Sequence, residues 1–307
     1  MGKYVIRRLL QMIPVIIGAT FLIFVMVFAL PGDPVQGRCG ERQCPPSYVA
    51  AFNEKYNLDK PLVVQYLLYM GNVLQGDLGT TFYGKSVAHE LALRFPTTIK
   101  LALMAITVEI LIGISAGILA GIRRGKFIDS LVTVSTLVVI SVPIFVIGSL
   151  AQLIFGVRLG WFPVTAIKGT FYELIMPAFV LASISVAYVA RLMRTNLVEN
   201  LRADYVRTAR AKGLSQGRTV GVHTLRNSLI PVITYIGIDL GALMGGAVIT
   251  ERIFNVNGVG NFLYRSINQK DGVAVVGTIT CLVLIFLLAN LFVDVLYGVL
   301  DPRISND

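Results

Sequence analysis

The chain has 307 residues, of which 55% are hydrophobic and only 14% charged, with a mean hydropathy of +0.73. A soluble domain of this size carries about 25% charged residues, so the composition argues against a soluble enzyme or binding domain and for a membrane protein. The formal net charge of +10 is compatible with nucleic acid, anionic lipid or membrane topology, and its placement along the chain decides among them.

A bilayer core about 30 Å thick needs roughly 20 apolar residues in a helix. Six stretches meet that demand, at about 9–30, 98–122, 131–155, 174–192, 229–249 and 273–296. The first has a basic flank (Lys3, Arg7, Arg8), as a signal peptide would. Its apolar run is longer than a signal core and "ALPGDP" lacks a small-residue cleavage pattern, so it is expected to stay as a span.

Residues 31–97 form a polar segment whose lysines and arginines are matched by acids. It holds "CGERQC", in which Cys39 and Cys44 read either as a small disulfide loop or as two free thiols. A metal site is disfavoured, because structural zinc needs a full ligand set and the nearest histidine is distant in sequence. The stretch 61–74 is apolar but too short to cross, and is expected to lie on the membrane or pack on the protein.

The second span carries Gly113, Gly117 and Gly121, and the fifth Gly237, Gly241 and Gly245. Glycines four residues apart share a helix face and let two backbones approach closely, which is a main source of helix association in lipid. Glu109 and Asp239 lie within these same two spans and Asp294 near the end of the sixth. Acids at such depth should face protein or water, so Glu109 and Asp239 are candidates for the wall of a polar pathway or for buried hydrogen bonds. Pro14 and Pro143 are candidate kinks.

The basic residues fall on one side of this pattern. The N-terminus, the link "RRGK" (123–126) and the stretch between the fourth and fifth spans carry the excess. Within 202–227 of this last stretch, Arg202, Arg207, Arg210, Lys212, Arg218 and Arg226 face only Asp204. By the positive-inside rule both termini and this stretch are cytoplasmic, with six spans between the termini.

Two motifs suggest chemistry and fail on context. "GLSQG" (213–217) fits a hydrolase nucleophile pattern, but it lies in a basic helical stretch rather than a strand–turn–helix. "AGIRRGKF" (120–127) resembles a phosphate loop, but Ala120 replaces the first glycine and Phe127 the hydroxyl residue that would hold magnesium. No enzymatic site, metal or resident cofactor is expected; if ATP drives the protein, another subunit binds it. A nucleic-acid partner is disfavoured, because the basic stretch lacks a stacking surface and is anchored in the membrane at both ends.

Within the basic stretch, 204–212 has a helical pattern that Gly213 ends, and Ser215 can cap a second helix running into the fifth span. Such a helix–turn–helix can dock into a groove of a partner. "DYVRTARAKGLSQGRTVGVHTLRNSLIPV" resembles the cytoplasmic loop of ABC importer permeases, in the form found in the dipeptide/oligopeptide/nickel family. Against the general pattern E-A-A-x-x-x-G-x9-I-x-L-P, Ala209, Gly213 and Leu225 match. Arg207, Thr208, His223 and Arg226 depart from it, as is usual in the peptide branch. "LPGDP", "GDLGTTF", "RFPTTIKLAL", "LGWFPV", "ARLMR", "ITERIFNVNGVG" and "LDPRI" extend the resemblance along nearly the whole chain, whereas "CGERQC" stands outside it.

The resemblance implies an all-α membrane protein with the six-helix type I importer permease fold. Residues 1–30 would hold the first span, 31–97 an extracytoplasmic segment, 98–299 a five-helix core with the coupling loop 195–228, and 300–307 a cytoplasmic tail. It further implies one of two homologous permease subunits, two ATPase subunits, an extracytoplasmic binding protein and a di- or oligopeptide substrate. Nickel chelates, glutathione and sugars are the alternatives within the family; a self-sufficient channel or ion-coupled transporter is the alternative outside it. Tyr205, Ala209, Lys212, Gly213 and Leu214 would form the ATPase-docking surface. Arg207 and Arg210 would support it through partner carboxylates or lipid phosphates.

Overall fold

The computed structural model describes residues 2–28, 44–244 and 247–300, and the elements among them are helical apart from one isolated bridge between Thr80 and Ser86. Cys39, Gly245 and residues 301–307 lie outside the described residues, as does the side chain of Asp294. Four helices are long and apolar enough to cross a membrane: Ile6–Phe28, Val87–Ile122, Phe171–Asn200 and Gly272–Val293. A bent pair, Phe127–Ser141 with Ile144–Arg158, makes a fifth if counted as one span.

The chain divides into two compact units. The first comprises the described residues of Met1–Thr98, Met244–Arg252 and Asn257–Asp307. Here α1 (Gly2–Phe28) packs against the last helix, α12 (Gly272–Leu300), and against α3 (Leu62–Leu74). The short apolar stretch 61–74 thus packs on the protein. Phe24, Tyr66 and Val276 form a buried cluster, and Tyr66 shares a 2.9 Å hydrogen bond with Thr20. Tyr69 donates to Thr280 of α12 at 3.1 Å, and burial pushes its hydroxyl up to about 12. α2 (Pro46–Tyr56) begins on proline, whose missing N–H is unneeded there, and Phe52 and Cys44 meet Val273. A larger cluster joins Leu78, Val87 and Leu91 to Val259 and Leu263 of α11 (Val259–Asn268) and to Ala274, Val275 and Leu282.

The second unit comprises Ile99–Leu243 and Ile253–Val256. Its central member is α7 (Phe171–Asn200), which buries Leu174, Val180, Val189, Met193 and Leu197 among others. The sequence starts α7 sharply: Thr170 accepts the N–H of Glu173, and the Glu173 carboxylate accepts the N–H groups of Lys168 and Gly169, each at 3.0 Å. This satisfies donors that a bare helix start would leave unpaired. The long helix α4 (Val87–Ile122), α5 (Phe127–Ser141) and α6 (Ile144–Arg158) contribute to the unit, and each packs against α7.

The proline positions behave differently. Pro14 sits inside an unbroken α1. The stretch 131–155, expected as one continuous span, is broken between α5 and α6 with a bend of 101°. Val142 is extended (φ −100°, ψ 127°), the conformation favoured before a proline, and Pro143 begins the next helix by accepting from Val146 and Ile147. The proline therefore divides this span rather than merely curving it.

Candidate functional site

The basic loop holds α8 (Asp204–Ala211), with Asp204 in its first turn, where a negative charge complements the helix dipole. Its C-terminus closes by two reciprocal bonds: the Gly213 N–H to the Arg210 carbonyl (2.9 Å) and the Leu214 N–H to the Ala209 carbonyl (3.2 Å). This Schellman closure needs a left-handed residue, and Gly213 has φ +82° with open space where a Cβ would stand. Glycine is required here for its backbone and not for room. Ser215 then accepts the Arg218 N–H at 3.4 Å, and a π-helical segment, Thr219–Thr224, leads into α9 (Leu225–Met244).

The predicted docking residues divide by exposure. Tyr205, Arg207, Arg210, Lys212 and Gly213 are exposed and Leu214 is half-buried. Ala209 differs: it is 9% exposed and, with Val206, forms the buried side of α8, the helix that packs on Thr219–Thr224. Its small side chain therefore serves packing within the loop rather than the exposed face. The Tyr205 hydroxyl donates to Asn200 at 2.8 Å, which ties the start of α8 to the end of α7. Val222 and Ile230, apolar positions along the chain from Ser215 into the fifth span, are both more than half exposed. The buried positions are Thr219, Thr224 and Ser228, held by Thr224 donating to the Thr219 carbonyl and Ser228 to those of Thr224 and Asn196. Hydroxyls that bond back to the helix carry no hydropathy signal, so periodicity passed over them.

The glycines of α4 press on α7. A Cβ at Gly113 would stand 2.8 Å from Val189 Cγ1, one at Gly117 2.6 Å from the Ala190 carbonyl oxygen, and one at Gly121 2.9 Å from Leu197 Cδ2. On α9, Gly241 is buried and Gly237 half-buried. A partly buried ion pair that sequence reasoning missed joins α5 to α7. Arg194 donates through Nε and Nη2 to the two carboxylate oxygens of Asp129, which also accepts the Gly125 N–H at 2.8 Å. Its sequence signal was an acid at the start of a helix directly after a basic link.

Glu109 and Asp239, separate in sequence, act on each other in the structure. Glu109 is wholly buried at the start of the π-helical segment Glu109–Ile114 that interrupts α4. Neither of its oxygens has a hydrogen-bond partner, nor does the buried Oδ2 of Asp239. Tyr235 interacts with both acids, and the ring of Tyr188 lies 6.2 Å from its own.

A second buried acid, Glu251, is fully engaged. It lies on α10 (Val248–Ile253) and accepts the Thr98 hydroxyl at 2.7 Å and the Asn261 N–H at 2.9 Å, while the Thr98 oxygen accepts the Val259 N–H at 2.9 Å. Burial pushes its carboxyl above the usual range, and the bonds from Thr98, Asn261 and Gly260 oppose that shift. A Cβ at Gly258 would stand 2.5 Å from the Glu251 carboxyl carbon, and one at Gly260 2.8 Å from Val248 Cα. "ERIFNVNGVG" is thus a carboxylate wrapped by its own downstream turn.

Comparison with known proteins adds identity to this geometry. The family model described as the binding-protein-dependent transport system inner membrane component matches residues 113–306, and its N-terminal companion matches residues 1–102. The di/tripeptide transport system permease protein DppB of Pseudomonas aeruginosa is 40% identical over 100% of this chain and 99% of its own length. The oligopeptide transport system permease protein AppB of Bacillus subtilis is 36% identical over 99% of this chain and 100% of its own. The glutathione transport system permease protein GsiC of Pectobacterium atrosepticum is 37% identical over 99% of each.

Proposed function

Since the chain belongs to the binding-protein-dependent transport system inner membrane components, we propose that it is the permease subunit of an ATP-driven importer of di- and oligopeptides. The observation that carries the substrate is likeness over the full length to permeases named for di-, tri- and oligopeptides. The chain would supply half of the pathway, beside a second homologous permease, with six spans and both termini in the cytoplasm. An extracytoplasmic binding protein would deliver the peptide, and two ATPase subunits would hydrolyse ATP.

Coupling runs through α8. Its exposed face presents Tyr205, Arg207, Arg210 and Lys212, and the closure at Gly213 turns the chain back toward α9. When nucleotide draws two ATPases together, a helix seated in each moves with it and biases the spans between two states. Glu109 and Asp239 belong to the wall of the pathway in this reading, and Cys39 and Cys44 to a small disulfide loop outside the membrane.

Gly213→Pro tests the coupling role. Proline holds φ near −65°, which the +82° of Gly213 excludes. The variant should insert and assemble with the second permease, yet lose ATP-dependent uptake of a labelled dipeptide. Normal uptake would overturn the assignment of α8. A glutathione importer is the second reading, favoured by the 37% identity to GsiC. Uptake of labelled dipeptide that excess glutathione does not inhibit decides for peptides.

A further inference from the structure

The pair Glu109 and Asp239 presents a chemical problem that the transport reading does not resolve. Two carboxyl groups act on each other inside the second unit, one of them with no exposed surface. As carboxylates they are both acceptors, and three of their oxygens lack any donor. Among the described residues neither forms a salt bridge. Tyr235 of α9 interacts with both acids, and the ring of Tyr188 of α7 lies 6.2 Å from that of Tyr235.

An unpaired carboxylate in the hydrocarbon region of a membrane costs several kcal/mol, and a second beside it adds repulsion. Either a cation lies between the two or one of them is uncharged. A metal ion would need further oxygen ligands, and no cluster of three or more acidic, histidine or cysteine side chains exists among the described residues. A proton needs only the two acids. It turns one acceptor into a donor and thereby supplies the missing partner.

We propose that Glu109 and Asp239 form a binding site for a single proton, held between the two carboxyl groups and bridging α4 to α9. Glu109 is wholly buried and Asp239 half-buried, so the shared proton is withdrawn from water. Glu109 opens the π-helical segment Glu109–Ile114, a local departure from the α-helical repeat of the kind that recurs at functional sites. The site depends on the two acids alone and not on what the protein transports.

Infrared difference spectroscopy of the purified transporter, with its partner subunits, tests this without reference to uptake. A protonated carboxyl has a C=O stretch that a carboxylate lacks. The wild-type minus Glu109→Gln difference at neutral pH should show one such band, sensitive to deuterium exchange. Glu251, also buried, is present in both samples and cancels. In Asp239→Asn the band should persist at a shifted frequency, because the proton stays on Glu109 with a new acceptor. Absence of the band from the difference spectrum overturns the proposal. So does its disappearance on adding sodium chloride or a dipeptide, which would make the occupant a metal ion or a substrate ammonium group.

Discussion

Gly213 and Gly117 show how one residue type meets two unrelated demands. At Gly213 nothing stands within 4 Å of a prospective Cβ, and the requirement is the positive φ. Gly213→Ala should cost about 1–2 kcal/mol, felt as fraying of α8, with the bundle intact. At Gly117 the helix is ordinary and alanine would be favoured by about 1 kcal/mol on propensity alone. The methyl group, however, would lie 2.5 Å from Met193 Cβ and 2.6 Å from the Ala190 carbonyl oxygen. Overpacking of this kind costs about 1–3 kcal/mol, so the net sign should be destabilising. Thermal unfolding in detergent separates the two: Gly117→Ala should lower the main transition, whereas Gly213→Ala should lower uptake more than the transition. A raised transition in Gly117→Ala would mean that α4 and α7 part at little cost.

Among the elements, the turn wrapped around Glu251 gives a pH prediction. Burial raises the folded carboxyl above its unfolded value, so the native state binds this proton more tightly. The stabilisation is fully present below the unfolded pKa and is lost as pH rises through the folded one. Glu251→Gln keeps an acceptor for the Asn261 N–H and places an amide toward Thr98, whose oxygen has a second lone pair. The variant should remain folded, and its unfolding midpoint should fall less steeply from acid to neutral pH than that of the wild type. Equal slopes would show that Glu251 does not titrate in that range. The ion pair of Asp129 and Arg194 has the opposite character. It joins α5 to α7 by charge, while the glycine stripe joins α4 to α7 by close contact.

At the scale of the molecule the apolar helices set how the chain threads the membrane. Four helices qualify by length and composition, and the bent pair adds a fifth. The expected crossing at 229–249 is helical over Leu225–Met244 and resumes as Val248–Ile253 beyond the two residues outside the description. The proposed topology places the basic loop and the segment 31–97 on opposite sides. In a chain otherwise free of cysteine, Ser215→Cys should react with an impermeant maleimide only in inside-out vesicles, and Ser86→Cys only in intact spheroplasts. Labelling of both from one side would exclude the six-span arrangement.

Family, membrane character and the turn at Gly213 were legible in the sequence, because each depends on local properties. Apolar runs report transfer from water, a basic excess reports topology, and a glycine after a helical pattern reports a left-handed residue. The glycine stripe of the second span was visible as spacing, although its partner, Val189, Met193 and Leu197 of α7, was not. What required the tertiary structure were the pairings: Asp129 with Arg194, Glu251 with Thr98 and its own downstream turn, and Glu109 with Asp239. The burial of Ala209 and the break at Pro143 belong with them. Hydropathy and spacing describe one segment at a time, whereas a buried polar group is fixed by the partner that satisfies it, and that partner lies on another element.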